Sequence, residues 1–187
     1  MNTVGIDEVG RGCWAGPLLV VAARCSTELP EVNDSKVLSK KRREQAYEKL
    51  LAVCEFGEGW VEPSEIDSLG LTESMKLAVS RSLSSLEVNE NAKIIMDGHI
   101  NYCDDRYVNV ECVIKADGKI PIVSAASIIA KQLRDAKMVE LAEKYKNYGF
   151  ENHVGYGTKQ HIEALKKHGI CEIHRKSYKP VYTLANL

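Results

Sequence analysis

The chain has 187 residues, 44% of them hydrophobic, and its 25 Lys and Arg nearly balance its 26 Asp and Glu for a formal net charge of −1. This length suits one domain with a full hydrophobic core, which we expect to span residues 1–187, and it disfavours two large domains. The near-zero charge gives no global attraction to nucleic acid or to a membrane surface, so any basic binding site has to be local.

The first half of the chain predicts three strands and two helical segments. The second strand is continuously apolar, which is typical of a central position in a sheet. The first helical segment opens with turn and cap residues and continues as an amphipathic pattern. The predicted elements of this half are strands at 2–8, 17–25 and 56–62 and helices at 33–53 and 63–86, the last interrupted at Gly70.

The second half predicts two further strands, at 93–100 and 108–118, followed by a long helix that starts after Pro121. The tail from residue 153 predicts a loop, one helix and a basic, extended end. Strands that cluster first and then alternate with helices indicate a layered α/β or α+β fold with a helical C-terminal cap.

The cysteines and histidines are scattered and show no pattern of a metal site. The six cysteines form no C-x-x-C pair, so we expect free, buried thiols in a reducing compartment rather than a disulfide framework. We treat the five histidines, at 99, 153, 161, 168 and 174, as non-ligands. Without an 18-residue apolar stretch or a signal-peptide pattern, we expect no membrane partner and a cytoplasmic location.

Acidic residues lie at three of the predicted apolar strands. Asp7 and Glu8 fall in the first strand, Asp97 ends the run IIMD, and Asp117 ends the run IKAD, each shortly before a glycine. Apolar strands that end in carboxylates can bring those carboxylates together at one edge of a sheet. The competing interpretation is that each Asp-Gly pair is an ordinary turn, although Asp7 lies inside its strand.

Clustered carboxylates without histidine or cysteine partners favour hard divalent ions. Mg²⁺ and Mn²⁺ prefer oxygen ligands and bind through a few carboxylates together with substrate phosphates. Two such ions roughly 4 Å apart activate a water molecule and stabilise the leaving oxygen of a phosphodiester. Since neighbouring strand residues point to opposite faces, we expect the strand to leave regular geometry at Glu8, or Glu8 to contribute its backbone carbonyl.

Six sequence blocks, in order, resemble the ribonuclease HII family, the type 2 ribonucleases H. They are DEVGRG, NDSKVLSKKRRE, MDG, KADGKIPIVSAASIIAKQLRD, HVGYGT and HRKSYKP, and the resemblance spans residues 4–181. It implies an α/β ribonuclease H-like fold with a mixed five-stranded sheet flanked by helices, with a core at 1–145 and a C-terminal helical and basic segment at 146–187. It also implies an endonuclease dependent on Mg²⁺ or Mn²⁺ that cuts RNA–DNA hybrids and single ribonucleotides in duplex DNA, leaving 5′-phosphate and 3′-hydroxyl ends.

The resemblance carries roles over to individual residues. The four catalytic, metal-binding acids of the family fall on Asp7, Glu8, Asp97 and Asp117. The backbone of Gly10, Arg11 and Gly12 matches the motif that recognises the 2′-hydroxyl at the RNA–DNA junction, since glycine permits a close backbone approach. Tyr156 matches the tyrosine that stacks on the sugar 3′ of the scissile bond.

Other matched positions would contact phosphates. Lys36, Ser124 and Arg175 are the candidates, with Ser127 and Lys176 as neighbours of the same type. Val154 departs from the family, which often has a lysine there, and this removes one possible phosphate contact. The C-terminal VYTLANL lacks the pattern of a sliding-clamp-binding peptide, so we expect no clamp partner and a monomer.

Three other functions compete with this prediction. Another ribonuclease H-like nuclease, such as a junction resolvase or an integrase-type strand transferase, would share the carboxylates but not the GRG motif and Tyr156. A non-catalytic hybrid-binding module would bind without metal-dependent turnover. A phosphate-cradling nucleotide domain is disfavoured, because the loop lacks GxxxxGK[ST] and two acids at its mouth would repel phosphate.

Overall fold

The structure, a computed structural model, describes residues 3–27, residue 29 and residues 40–185. The start of the predicted helix at 33–53, and with it Lys36, lies outside the described residues. The remainder of that helix is α1, from Lys40 to Leu51.

Five strands form one mixed sheet in the order β3-β2-β1-β4-β5, as the resemblance implied. The central strand β1 (Thr3–Val9) pairs antiparallel with β2 (Leu18–Cys25) and parallel with β4 (Lys93–Asp97). The outer strands are β3 (Cys54–Val61), beside β2, and β5 (Val110–Val113), parallel to β4. This order places the strand with the paired acids in the middle of the sheet.

The helices after α1 follow the predicted order. α2 is interrupted at Gly70, whose φ of 75° lies in the left-handed region that favours glycine, and α3 begins at Pro121, a residue suited to the first helical turn. The helices are α2 (Pro63–Ser85), α3 (Pro121–Lys144), α4 (Phe150–His153), α5 (Lys159–His168) and α6 (Lys179–Ala185), with a 3₁₀ helix at Ala116–Gly118. No described helix is long and apolar enough to cross a membrane.

The chain divides into two compact units, each made of several segments. The first unit takes its residues from 1–9, 19–60 and 75–132, and holds nearly the whole sheet with the 3₁₀ helix. The second takes its residues from 10–18, 61–74 and 133–187, and holds the loop after β1 with helices α4 to α6. The division into a core at 1–145 and a segment at 146–187 stays a prediction.

In the first unit, α3 packs closely on the central strand at Gly5. A Cβ atom at Gly5 would lie 2.5 Å from the backbone carbon and oxygen of Ile122. Only a residue without a side chain allows this approach. Buried apolar residues of β1 and its neighbours, such as Ile6 and Ile94, complete this core.

In the second unit, aromatic rings and imidazoles form the core around Phe150. Tyr148 stacks on Phe150 with ring centroids 5.3 Å apart, and His153 stacks on His161 at 4.6 Å. The Nε2 atoms of His161 and His174 are 3.0 Å apart, a hydrogen bond that requires one ring to donate and the other to accept. Burial lowers the pKa of both His161 and His174 to about 4.

Two predictions about the later part of the chain are wrong. β5 ends at Val113, so Asp117 lies not at a strand end but in the 3₁₀ helix, after Lys115 adopts the left-handed conformation with φ of 58°. The C-terminal segment is not extended at its end but forms α6, which buries Val181. Pro180 in the first turn of α6 is compatible with a helix, because the backbone N–H it lacks would have no partner there.

The prediction that all six cysteines are free thiols is also wrong. Cys25, at the end of β2, forms a disulfide with Cys54, at the start of the neighbouring strand β3. The two are 29 positions apart in the sequence, and the pairing of β2 with β3 in the sheet brings them together. The free thiol of Cys13 is buried, whereas Cys103, Cys112 and Cys171 are partly exposed.

Candidate active site

Asp7 and Asp97 lie side by side on two parallel strands. In the register of β1 with β4, Ile6 pairs with Met96, and each acid is the next residue along its strand. Asp7 is only 5% exposed. The sheet therefore brings together two carboxylates that are 90 positions apart in the sequence.

The predicted departure of β1 from regular geometry at Glu8 is wrong. Pairing with β2 continues through Asp7, Glu8 and Val9, opposite Val21, Val20 and Leu19. The backbone first turns at Gly10, whose φ is 85°. In a regular strand Asp7 and Glu8 point to opposite faces, which agrees with Asp7 being buried and Glu8 partly exposed. A contribution of Glu8 through its backbone carbonyl stays a prediction.

A hydrogen bond connects Asp97 to the element that holds Asp117. The Oδ1 atom of Asp97 accepts a hydrogen bond of 2.7 Å from the backbone N–H of Ala116. Asp117 follows Ala116 directly and is 3% exposed. Although Asp117 is not at a strand end, its 3₁₀ helix is fastened to the carboxylate that ends β4.

Ser124, a predicted phosphate contact, holds the same element in place. Its hydroxyl lies 2.5 Å from the carbonyl oxygen of Asp117 and 3.2 Å from that of Ile120, and it is buried. A hydroxyl has one proton to donate, and here backbone carbonyls accept it. The contact of Ser124 with a phosphate stays a prediction.

The electrostatic environment of Asp7 disfavours an isolated negative charge. Burial raises the pKa of its carboxyl from 3.8 to about 7, and the charges of Glu8 and Asp97 act in the same direction. A hydrogen bond with Ser127 and the charge of Lys131 lower it in part. A positive charge beside Asp7 would therefore be strongly favoured.

Lys131 is a residue of this site that the sequence did not single out. It lies four residues after Ser127 on α3, and its Nζ donates a 2.6 Å hydrogen bond to the Ser127 hydroxyl. The i, i+4 spacing places both side chains on one face of the helix. That spacing was visible in the sequence, but not which face of α3 lies against β1.

The donor set suits a hard divalent ion such as Mg²⁺ or Mn²⁺. All four predicted ligands are carboxylates, and Asp7 and Asp97 are placed where a cation would relieve their mutual repulsion. In the part of the chain that the structure describes, no three His, Cys, Asp or Glu side chains are already arranged as a complete metal site. Hard ions keep several water ligands, so two or three protein oxygens are enough.

The GRG motif forms a turn in the second unit, backed by a buried arginine. The carbonyl oxygen of Gly10 accepts a 3.2 Å hydrogen bond from the N–H of Cys13. A Cβ atom at Gly10 would collide with the guanidinium of Arg134. Arg134 is completely buried and donates to the carbonyls of Pro17, Val154 and Ala15, a role that the sequence did not reveal.

The phosphate contact of Arg175 stays a prediction, because the protein itself occupies the donors of this side chain. Arg175 is completely buried, whereas its neighbour Lys176 is exposed. The guanidinium donates to the carbonyl of Gly16 through Nε and Nη2, at 3.1 and 2.9 Å, and to that of Arg11 through Nη1, at 3.1 Å. These donors are used by backbone carbonyls rather than presented to a phosphate.

Tyr156 presents an aromatic ring on the surface of the second unit. It is 44% exposed and follows Gly155, whose approach to the carbonyl of Ala15 leaves no space for a Cβ atom. Partial burial raises the pKa of its hydroxyl to about 12, with Cys13 acting in the same direction. The phenol is therefore neutral at physiological pH.

Comparison with known proteins gives one consistent family. The family model described as Ribonuclease HII matches residues 4–181. Ribonuclease HII of Coxiella burnetii (strain Dugway 5J108-111) is 39% identical over 183 residues, covering 96% of this chain and 89% of that protein. Ribonuclease HII of Campylobacter concisus (strain 13826) is 43% identical over 174 residues, covering 93% and 91%. A chain in the PCNA:RNase HII complex from Archaeoglobus fulgidus is 30% identical with a TM-score of 0.82, covering 97% of this chain and 96% of that one.

Proposed function

The chain belongs to the ribonuclease HII family, metal-dependent endonucleases that cleave the RNA of RNA–DNA hybrids, and on this basis we propose that it also cuts 5′ of single ribonucleotides embedded in duplex DNA. The products are a 5′-phosphate and a 3′-hydroxyl. The observation that carries the proposal is the placement of Asp7 beside Asp97 at the centre of the sheet.

In this proposal the four acids divide into two roles. Asp7 and Asp97, adjacent on β1 and β4, would hold the divalent ions, and Asp117 together with the backbone carbonyl of Glu8 would complete the coordination. Two Mg²⁺ or Mn²⁺ ions bound there would supply an activated water and stabilise the charge on the leaving oxygen. Lys131 and Ser127 limit the repulsion around Asp7, so that its carboxylate is ionised when a cation is present.

Recognition of the ribonucleotide is assigned to the GRG turn and Tyr156. Only a 2′-hydroxyl marks the ribonucleotide within a DNA duplex, and Gly12 is exposed, with open space where its side chain would be. The exposed ring of Tyr156 suits stacking on the sugar that follows the scissile bond. Lys36 and Lys176 contact backbone phosphates and so position the duplex, without taking part in the cleavage reaction.

A cleavage assay tests the proposal. The substrate is an end-labelled DNA duplex with one ribonucleotide, incubated with Mg²⁺ or Mn²⁺, and the matched controls are the same duplex in all-DNA form and a reaction with EDTA. We expect one cut 5′ of the ribonucleotide, extension of the product by a DNA polymerase, which requires a 3′-hydroxyl, and no product with EDTA. Equal cutting of the all-DNA duplex or of a four-way junction would show that a different nuclease activity resides on this fold.

A further inference from the structure

The carbonyl oxygen of Arg11, in the middle of the GRG turn, is held by two buried or partly buried side chains. It accepts a 3.1 Å hydrogen bond from Nη1 of Arg175 and a 2.6 Å hydrogen bond from the hydroxyl of Tyr178. The same Nη1 atom also donates to the Tyr178 hydroxyl at 2.9 Å. The three groups form a closed triangle, so rotation of the Arg11–Gly12 peptide would break two hydrogen bonds at once.

Fixing this carbonyl also fixes the direction of the next N–H. In a trans peptide the C=O of Arg11 and the N–H of Gly12 share one plane and point in opposite directions. Gly12 is exposed, and nothing lies within 4 Å of the position a Cβ atom would occupy. Among the described residues, no acceptor is hydrogen-bonded to the Gly12 N–H. The turn therefore offers an outward-facing donor to an external acceptor.

The position of Tyr178 is itself fixed by hydrogen bonds of the two preceding residues, Lys176 and Ser177. The carboxylate of Asp67, in α2, accepts hydrogen bonds from the N–H groups of Lys176 and Ser177, at 2.9 and 2.8 Å, and from the Ser177 hydroxyl at 2.6 Å. The N–H of Tyr178 in turn donates to the carbonyl of Arg175 at 3.1 Å. Three hydrogen bonds to one carboxylate order this segment and leave the phenol little freedom to move.

We propose that Tyr178, with Arg175, is a positioning residue that aims the Gly12 N–H at the 2′-oxygen of the ribonucleotide. The inference rests on the proposed function, because it assumes that the GRG turn meets that oxygen. The inference adds a residue and a physical cause. Discrimination between a ribonucleotide and a deoxyribonucleotide depends on the orientation of the Arg11–Gly12 peptide, which is set by side chains more than 160 positions away in the sequence.

The test compares Tyr178→Phe with Tyr182→Phe. Tyr182 lies in α6, four positions after Tyr178, and is exposed, so its variant removes the same hydroxyl group outside the triangle. Both changes are made in an Asp7→Asn background, which blocks cleavage, and binding is measured by fluorescence anisotropy with Mg²⁺ at one fixed salt concentration. The probes are a DNA duplex with one ribonucleotide and the same duplex in all-DNA form.

We expect Tyr178→Phe to lower the preference for the ribonucleotide duplex about fivefold, the value of one hydrogen bond of about 1 kcal/mol. Affinity for the all-DNA duplex should change less than about twofold on the same argument, and Tyr182→Phe should leave the preference intact. The preference of each variant is the ratio of its affinities for the two duplexes, both measured on one protein preparation. A reduced fraction of folded protein lowers both affinities equally and therefore leaves the ratio unchanged. The Gly12 amide signal in a ¹H–¹⁵N spectrum of the free protein should also shift in Tyr178→Phe.

Two results would overturn the role of Tyr178 without affecting the proposed function. One is an unchanged preference for the ribonucleotide duplex in Tyr178→Phe. The other is an equal weakening of binding to both duplexes, which is the result of a merely structural role. If the Asp7→Asn parent shows no preference for the ribonucleotide duplex, the proposed ribonucleotide recognition fails as well. The Asp7→Asn parent therefore separates the two failures.

Discussion

Asp7 and Asp97 are neighbours on adjacent strands, because β1 and β4 are parallel and their register pairs Ile6 with Met96, the residue before each acid. Two carboxylates on adjacent strands repel one another, and here one of them is buried. The folded chain keeps this unfavourable arrangement although apolar side chains would pack there at lower cost. Such an arrangement is typical of a cation-binding site, in which the carboxylates that bind the ion lower the stability of the fold when the ion is absent.

Replacing Asp7 by Asn should separate activity from stability. We expect cleavage of the single-ribonucleotide duplex to fall on the order of 10³-fold or more, because the change removes a proposed metal ligand. In EDTA at pH 8 the variant should unfold at a temperature ~2–4 °C above that of the wild type, since the amide removes a buried charge beside Glu8 and Asp97. Differential scanning calorimetry measures this, and added Mg²⁺ should stabilise the wild type only. A wild-type cleavage rate in the variant would exclude Asp7 as a ligand.

Two substitutions of Asp97 should differ in stability while both lose activity. The carbonyl oxygen of Asn can still accept the hydrogen bond from the Ala116 N–H, whereas Ala leaves that buried donor without a partner. We expect Asp97→Ala to be less stable than Asp97→Asn by about 1–3 kcal/mol in urea unfolding. Cleavage should fall on the order of 100-fold or more in both. Equal stabilities would show that the bond to Ala116 does not fasten the 3₁₀ helix.

Gly5 and Gly12 should respond in opposite ways to an added methyl group. Gly5→Ala places a Cβ atom 2.5 Å from the backbone of Ile122 and should cost about 2 kcal/mol of unfolding free energy, because α3 must move away from β1. Gly12→Ala meets open space and should leave the unfolding free energy within about 0.5 kcal/mol. Chemical denaturation of the two variants in parallel checks both, and a stable Gly5→Ala would contradict the close approach of α3.

Val154 is a strained position that a lysine should improve. Its φ of 42° lies in the left-handed region, which a β-branched residue rarely adopts. Val154→Lys should raise the unfolding free energy by about 0.5–1 kcal/mol through loss of the branch, and should steepen the salt dependence of duplex binding by about one unit. Val154→Leu is the matched control, which should gain the stability without the change in salt slope. The same salt slope in both variants would exclude a phosphate contact at this position.

The pair of His161 and His174 should make the protein less stable in mild acid. Their folded pKa of about 4 lies below the ordinary value of 6.5, so between these values the unfolded chain binds protons that the folded chain excludes. Stability is therefore complete above pH 6.5 and falls as the pH is lowered toward 4. Burial raises the pKa of Cys171, whose Sγ lies 3.1 Å from Nδ1 of His174, so this neutral thiol supplies no counter-charge at neutral pH.

Urea unfolding between pH 7.5 and 5.5 measures this effect. His174→Gln should reduce the dependence of the unfolding free energy on pH, because one excluded proton is removed. His99→Gln, which changes an exposed imidazole, should retain it. The other titrating groups are common to all three proteins. An identical pH dependence in His174→Gln and wild type would show that the pair accepts protons in the folded state.

Much of this fold was predictable from the sequence, because it depends on local patterns. Apolar runs and glycines located β1, β2, β4 and the break at Gly70, and Pro121 marked the start of α3. The ends of elements were less predictable where one backbone angle decides them. β5 ends at Val113, and the chain then enters the 3₁₀ helix through Lys115 in the left-handed region, whereas the C-terminal segment forms α6, in which Val181 is buried.

The sequence by itself determined which residue types are available for the proposed chemistry: four carboxylates without thiol or imidazole partners, and a GRG motif directly after the first two. Only the tertiary structure decided which groups meet. The register of β1 with β4 puts Asp7 beside Asp97, the pairing of β2 with β3 joins Cys25 to Cys54, and Tyr178 closes on the carbonyl of Arg11. Residue types are local properties of the chain, whereas these contacts join positions 29 to 167 residues apart, and only packing of the whole core selects them.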